Sequence, residues 1–314
     1  MNNTWGDMTQ YDPVTWHWVI AVYLFLAGLS AGSLLIGIGL RWVQNKTEGD
    51  SGILKAAALI APVAICLGML CLVFDLTKPF HFWLILINYN LTSVMSIGVL
   101  ALLVYIPLTF AYALVVLKDD LGNWGLGFLK GIAESLTGLR KTMEVLLFVL
   151  AIVVGAYTGF LISAMNAYPM LNTAVLPALF LVSGLSAGAA ANAVVALLLF
   201  KTDKHCSQLG RMHGLELPVM AAEILFLFML FCALYFKGGA AAAALASLTS
   251  GVWASVFWIG VVGIGFGIPL LSMLLLPAST RHSKGAMLAV ACCSLTGVLA
   301  LRHFILYAGQ SYLG

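Results

Sequence analysis

Charged side chains are scarce in this chain. Asp, Glu, Lys and Arg make up 9% of its 314 residues and 62% are hydrophobic, where an ordinary globular domain carries roughly 25% charge. No water-soluble core hides that much apolar surface, and no nucleic-acid partner is expected. Cysteine is sparse as well: Cys66, Cys71, Cys206, Cys232, Cys292 and Cys293 form no CxxC, and five of them lie inside apolar blocks. That spacing offers no iron–sulfur cradle, zinc site or disulfide framework, so the cysteines read as small buried hydrophobes. Of the six histidines only His303 falls well inside an apolar block, whereas a transmembrane cytochrome holds haem between histidines on facing helices. The first residues, "MNNTWGDMTQYDPVTWHW", carry no basic region and no small-residue cleavage site, and the first apolar block is expected to be retained.

What the chain has is long runs without charge. Each approaches or exceeds the ~20 residues needed to cross about 30 Å of hydrocarbon. Blocks between charge clusters predict eight spans: Trp16 to Leu40, Ala56 to Leu76, Leu91 to Leu117, Lys141 to Met165, Thr173 to Phe200, Leu215 to Phe236, Val252 to Leu276 and Lys284 to Ala308. Pro62, Pro107 and Pro269 fall inside spans and predict kinks. Fold class follows: an all-α integral membrane protein whose solvent is membrane lipid.

Direction follows from the basic residues. Loops after the first, third, fifth and seventh spans hold Arg41, Lys46, Lys55, Lys118, Lys130, Arg140, Lys141, Lys201, Lys204, Arg211, Arg281 and Lys284, twelve of the fifteen Lys and Arg. By the positive-inside rule that side is cytoplasmic, and both termini are expected in the periplasm of a Gram-negative cell, with the chain in the inner membrane. Between the third and fourth spans, Phe128, Leu129, Ile132, Leu136 and Leu139 recur at helical steps, predicting a helix near 121–139 on the cytoplasmic membrane surface.

The string GLSAG occurs twice, at Gly28 and at Gly184, near the middle of the first and fifth spans. Spans four apart run in the same direction, so the recurrence predicts two four-helix bundles related by a parallel repeat, residues 1–165 and 166–314. Small residues at such a spacing also let helix backbones approach closely.

Polar chemistry gathers at a few places. "FDLTKPFHFW" puts Asp75, Lys78 and His81 at the outer end of the second span, and His17 stands at the outer end of the first. Tyr157 and Thr158 lie in the outer half of the fourth, which Asn166 and Tyr168 close. Three helices thus bring acid, base, imidazole and phenol to one depth. Trp16, Trp18, Trp83 and Tyr168 read equally as interfacial anchors, and Lys78 as a snorkelling cation or a partner of Asp75. Tyr157 is some two turns inside, where a phenol needs a polar partner. A second set lies deeper or inward: Arg140 and Glu144 four apart, Glu216 and Glu223 seven apart on one helix face, and Arg302. Ionisable groups at membrane depth face a bundle interior or a water path, so Arg140, Glu144, Glu223 and Arg302 are candidates for proton conduction or for helix-fixing pairs. His213 beside Glu216 lacks the further acids of a carboxylate metal bundle, and no metal site is assigned.

"YLFLAGLSAG", "VFDLTKPFHFW", "GAYTGFLISAMNAYPMLN", "LFLVSGLSAGAA" and "LRHFILYAGQ", in that order along the chain, resemble the NrfD/PsrC family of membrane subunits of polysulfide reductase and formate-dependent nitrite reductase. The resemblance implies two four-helix bundles, no haem or metal in this chain, and a quinone site, most simply for menaquinone, at the periplasmic end of the first bundle. His17 and Tyr157 resemble residues that hold the quinone ring and Asp75 an acid beside it, with Thr158 adjacent and Lys78, His81 and Asn166 in support. It also implies partners: a periplasmic four-cluster [4Fe–4S] ferredoxin-like subunit and a molybdopterin or multihaem catalytic subunit. Releasing two protons and two electrons from a quinol needs donors and acceptors at both ring oxygens; an imidazole and a carboxylate suit that role near neutral pH, and a tyrosine hydroxyl can orient the second oxygen. The resulting expectation is a quinol-oxidising anchor serving polysulfide, thiosulfate or nitrite reduction. Reverse flow from a dehydrogenase and a proton- or ion-translocating transporter are the competing readings.

Overall fold

The computed structural model describes residues 16–43, 50–76, 79–87, 90, 92–122, 124–125, 127–202, 207–281 and 283–311. Lys78, and with it Lys46, Lys204 and Cys206, lies outside the described residues. Among those described, eight helices are long and apolar enough to cross a membrane. They are α1 (Trp18–Val43), α2 (Gly52–Asp75), α3 (Val94–Val116), α4 (Arg140–Ser163), α5 (Leu176–Leu198), α6 (Ser207–Lys237), α7 (Val252–Leu275) and α8 (Lys284–Ser311). Seven match the expected spans to within a turn. Helix α6 begins at Ser207 rather than Leu215 because hydropathy marks the hydrocarbon slab, whereas "SQLGRMHG" continues the helix as polar turns beyond it.

The surface helix predicted near 121–139 is a broken helical string. A 3-10 turn (Gly127–Leu129), a short α-helix (Lys130–Leu136) and a second 3-10 turn (Thr137–Leu139) run directly into α4. Phe128, Ile132 and Leu139 are exposed along it, the apolar face expected of a segment lying on lipid.

Helix α1 is the axle of the molecule. Its central window is 78% buried, against 17% for α7, and it packs on α2, α4, α5 and α8. Small residues make this possible. The two GLSAG strings cross each other: a Cβ added at Gly32 would strike the Gly184 carbonyl, one at Gly188 would strike the Gly32–Ser33 backbone, and Gly184 stands against Gly28. Beside the crossing, Ser33 Oγ donates to Asn192 Oδ1 at 2.8 Å and Asn192 Nδ2 donates back to the Ser33 carbonyl at 3.0 Å. This reciprocal pair fixes register, since a slip of one residue would orphan four polar atoms in an apolar interior. Nearby, Ser30 Oγ reaches the Ala61 carbonyl at 2.8 Å and the Tyr105 hydroxyl at 3.0 Å.

Pro62 and Pro107 lie inside α2 and α3, as expected, and Pro218 lies inside α6. Pro269 follows a twelve-residue π-helical stretch, Val256–Gly267. Four glycines in "GVVGIGFG" accommodate the wider winding, and Gly265 meets Gly297 of α8 backbone to backbone. Wide turns of this kind re-aim backbone groups and concentrate at functional positions.

Candidate functional site

The two ends of the described polypeptide meet. Trp16 N–H donates to Gln310 Oε1 at 2.9 Å, and Gln310 Nε2 returns a bond to the Trp16 carbonyl at 3.2 Å. The start of α1 and the end of α8 therefore share one side of the molecule, and the end of α2, the start of α3 and the end of α4 lie there too.

Tyr157 is the most committed residue at this end. It is 7% exposed, its ring covers Gly98 of α3 so closely that any Cβ there would collide with it, and its hydroxyl donates to the Met95 carbonyl at 3.4 Å. At that length the bond is weak, which leaves the phenol oxygen available to a second partner. Tyr23 of α1, fully buried, lies within electrostatic reach of Tyr157 and packs over Gly68 of α2. Sequence reasoning did not single out Tyr23. Its signal was present, a phenol in the middle of an apolar run, where a polar atom needs a partner.

The other predicted residues take different stations. His17 immediately precedes α1; its carbonyl accepts from Ile20 N–H at 3.0 Å and its ring is exposed. Asp75 is the last residue of α2 and is exposed, as is His81 in the 3-10 turn Pro79–Leu86. Thr158 is fully buried and its hydroxyl bonds back to the Gly155 carbonyl at 2.8 Å. Asn166 accepts from Asn172 Nδ2 at 2.8 Å, and Asn172 also holds the Ser163 carbonyl at 2.9 Å, which caps the end of α4. Helices α2 and α4 each pack on α1, but among the described residues no hydrogen bond or ion pair joins His17, Asp75 and Tyr157 to one another.

At the opposite end four charges close a ring. Arg41 meets Asp50 at 2.8 Å and Glu144 at 3.1 Å, while Arg140 meets Asp50 at 2.5 Å and Glu144 at 3.2 Å. Glu144 accepts further from Tyr112 at 3.2 Å and Trp42 at 3.3 Å. Burial pushes the Asp50 carboxyl up, against the downward pull of Arg41 and Lys55. The i,i+4 pair Arg140–Glu144 was legible in the sequence. Arg41 and Asp50 arrive from other elements and were not. Glu144 is the buried member of this partly exposed set, and removing it strands the two arginines. Glu144→Ala is therefore expected to cost about 3 kcal/mol of stability, read as a lowered unfolding midpoint in detergent, with Arg140→Ala/Glu144→Ala costing less than the sum of the singles.

Deep in the other half, Arg302 of α8 is fully buried. Its Nη2 donates to the Phe180 carbonyl at 2.9 Å and its guanidinium lies 3.7 Å over the Phe180 ring, a cation–π contact. Its Nε and Nη1 and the Oε1 of Glu223 have no hydrogen-bond partner among the described residues.

Among the described residues no three His, Cys, Asp or Glu side chains gather as a metal-holding group, and the five described cysteines are free. These features define a multi-pass helical membrane protein with polar clusters at its two ends and two buried ionisable side chains, Glu223 and Arg302, between them. The comparisons with known proteins make the family plain. A model described as "Polysulphide reductase, NrfD" matches residues 6–314. The sequence is 48% identical over 317 residues to a polysulfide reductase subunit of Wolinella succinogenes, covering 100% of both proteins. It is 40% identical over 309 residues to "Protein NrfD" of Escherichia coli, covering 96% of each, and 38% identical over 310 residues to "Protein NrfD homolog" of Haemophilus influenzae, covering 95% of each. The chain belongs to the NrfD polysulphide reductase family of multi-pass membrane proteins.

Proposed function

We propose that this protein is the membrane anchor of a respiratory oxidoreductase, in which it oxidises a quinol, most simply menaquinol, and passes the electrons to a partner subunit. One observation carries this reading: a buried phenol with a loosely held hydroxyl, Tyr157, lies at the end of the bundle where an imidazole and a carboxylate, His17 and Asp75, open outward. The names of its relatives and the distribution of Lys and Arg support it, the latter assigning the Trp16 end to the periplasm.

A quinol headgroup entering between α1, α2 and α4 is held by Tyr157 at one ring oxygen. As the ring is oxidised His17 and Asp75 each accept one of the two protons, one from each ring oxygen, while the phenol keeps its own. Each quinol gives one quinone, two electrons and two protons. The electrons leave to a periplasmic four-cluster [4Fe–4S] ferredoxin-like subunit and from it to a molybdopterin or multihaem catalytic subunit. Thr158 shapes the wall behind the phenol, His81 and Asn166 lie at the rim, and Lys78 is proposed to act in support. Arg140, Glu144, Glu223 and Arg302 are the residues proposed to connect the site with proton movement.

The test is quinol-analogue oxidation by membranes containing the whole complex. His17→Ala and Asp75→Asn are each expected to lower turnover by about tenfold or more, with normal assembly of the complex. Unchanged turnover in both would remove the site from this rim.

A further inference from the structure

Helices α6 and α7 border a wedge that neither the quinol chemistry nor the family assignment uses. Helix α6 packs on α5 and α7 packs on α8. The two meet each other edge to face through Phe231 and Phe257, ring centroids 5.5 Å apart, late in α6 and early in α7. From there they part. At the other end Gly210 and Gly214 of α6 line a cleft of about 700 Å³ together with Ser272 of α7 and Arg281, which closes the short helical turn Ala278–Arg281. A second cleft, of about 550 Å³, shares Glu216 and Met287 with the first and runs inward.

The two clefts differ in chemistry as the two parts of a phospholipid do. The inner one is walled largely by apolar groups, among them Ile36, Leu185, Val219, Met220 and Met287, and an apolar recess stays dry and takes hydrocarbon. Further in, a cleft of about 220 Å³ beside Glu223 shares Ser186 and Ser294 with it, and that polar floor ends the space for an acyl chain. The outer cleft carries charge. Arg281 lines it, and its Nη1 donates to the Met273 carbonyl at 3.3 Å, a neutral acceptor at the end of a guanidinium whose five donors form a fork that matches phosphate. Glu216, at the junction of the two clefts, brings a carboxylate, which accepts at several lone pairs and is matched by an ammonium. An added Cβ at Gly210 or Gly214 would meet nothing within 4 Å, so this stretch of α6 leaves room for a headgroup. One cation and one anion at the mouth of an apolar recess fit a zwitterion. A lipid carrying phosphate alone would set its charge near Glu216 with no ammonium to offset it.

We propose that the wedge between α6 and α7 is a binding site for one phospholipid with a phosphoethanolamine headgroup, its phosphate on Arg281, its ammonium on Glu216 and one acyl chain in the inner cleft. The lipid fills the space that opens between α6 and α7 as they diverge and packs against both. By the Lys and Arg distribution its headgroup lies in the cytoplasmic leaflet, where pockets between membrane helices hold lipid headgroups. The site does not rest on the quinol-oxidising reading above and stands if that reading fails.

The test strips the full-length protein of lipid in detergent, titrates it with phosphatidylethanolamine or phosphatidylglycerol of the same acyl composition, and counts the lipid bound to this chain by native mass spectrometry. Phosphatidylethanolamine is expected to bind at least about tenfold more tightly than phosphatidylglycerol. Arg281→Gln and Gly214→Leu are each expected to weaken it by about tenfold or more: the first removes the phosphate partner, and the second fills the headgroup space without striking a neighbour. Glu216→Gln is expected to erase the preference between the two lipids while phosphate binding is retained, a change in selectivity that a merely unfolded wedge would not produce. Gly131→Leu, on the surface string, is expected to change nothing. Equal affinity for the two lipids in the unaltered protein, a preference for phosphatidylglycerol, or unaltered affinity in both Arg281→Gln and Gly214→Leu would overturn the site. Should either of those two variants fail to elute as a folded protein, the selectivity of Glu216→Gln decides: an undiminished preference for phosphatidylethanolamine there would overturn the assignment.

Discussion

Tyr157→Phe is expected to lower kcat/KM for quinol oxidation by about a hundredfold while leaving the protein folded. The substitution removes one hydroxyl and keeps the ring over Gly98. The bond it breaks in the free protein, to the Met95 carbonyl at 3.4 Å, is too long to matter much, so the stability cost is about 1 kcal/mol or less. A hydroxyl that orients a reacting oxygen, or shuttles its proton, contributes about 10²-fold or more to the rate. Gly98→Ala offers an independent route to the same loss, because the added methyl occupies space now held by the phenol and drives the ring out of position. The two defects should not add: Tyr157→Phe/Gly98→Ala should resemble Tyr157→Phe alone, the behaviour of two changes acting on one contact. Steady-state oxidation of a menaquinol analogue by membranes carrying the complex reads all three. A Tyr157→Phe enzyme with wild-type kcat/KM would remove the phenol from the site, whatever the fate of His17 and Asp75.

Gly32→Leu should prevent the folded protein from accumulating. The Cβ at position 32 would lie on the carbonyl of Gly184, in the backbone of the facing helix rather than against a side chain that can rotate away. Overpacking in ordinary cores costs about 1–3 kcal/mol because neighbours adjust. Here the only adjustment is to separate α1 from α5, which also breaks the Ser33–Asn192 pair. The expected loss therefore exceeds about 3 kcal/mol, visible as absence of a monodisperse peak in detergent chromatography. Gly131→Leu is the control. It lies in the surface string with open space around its Cβ position and should leave the elution profile unchanged. A monodisperse Gly32→Leu protein with the wild-type midpoint would mean that the crossing can open without penalty.

The number and placement of the spans were legible in the sequence because the bilayer imposes one long apolar run per crossing. The polar start of α6 was not, since "SQLGRMHG" lies outside the hydrocarbon and helices do not end where it ends. The GLSAG strings announced close packing but not that each copy is the other's partner, a fact that only the crossing of α1 and α5 supplies. At the candidate sites, within-helix relations were readable: Arg140 with Glu144, and Glu216 with Glu223, which line successive clefts. Relations between helices were not. Arg41 and Asp50 complete the charge ring from separate elements, and Tyr23 comes to Tyr157 from another helix. Pro269 predicted an irregular α7, and the irregularity found there is a π-helical stretch upstream of it, where glycines permit wide turns.

The bond between Trp16 and Gln310 has a bearing on biogenesis. Of the eight helices the one made first is the most enclosed in the folded molecule, and its latch lies on the one made last. The nascent α1 must therefore wait in the bilayer, its glycine face uncovered until α5 arrives and its latch unmade until α8 does. A polypeptide stopped before Lys284 would strand it there as a target for membrane quality-control proteases.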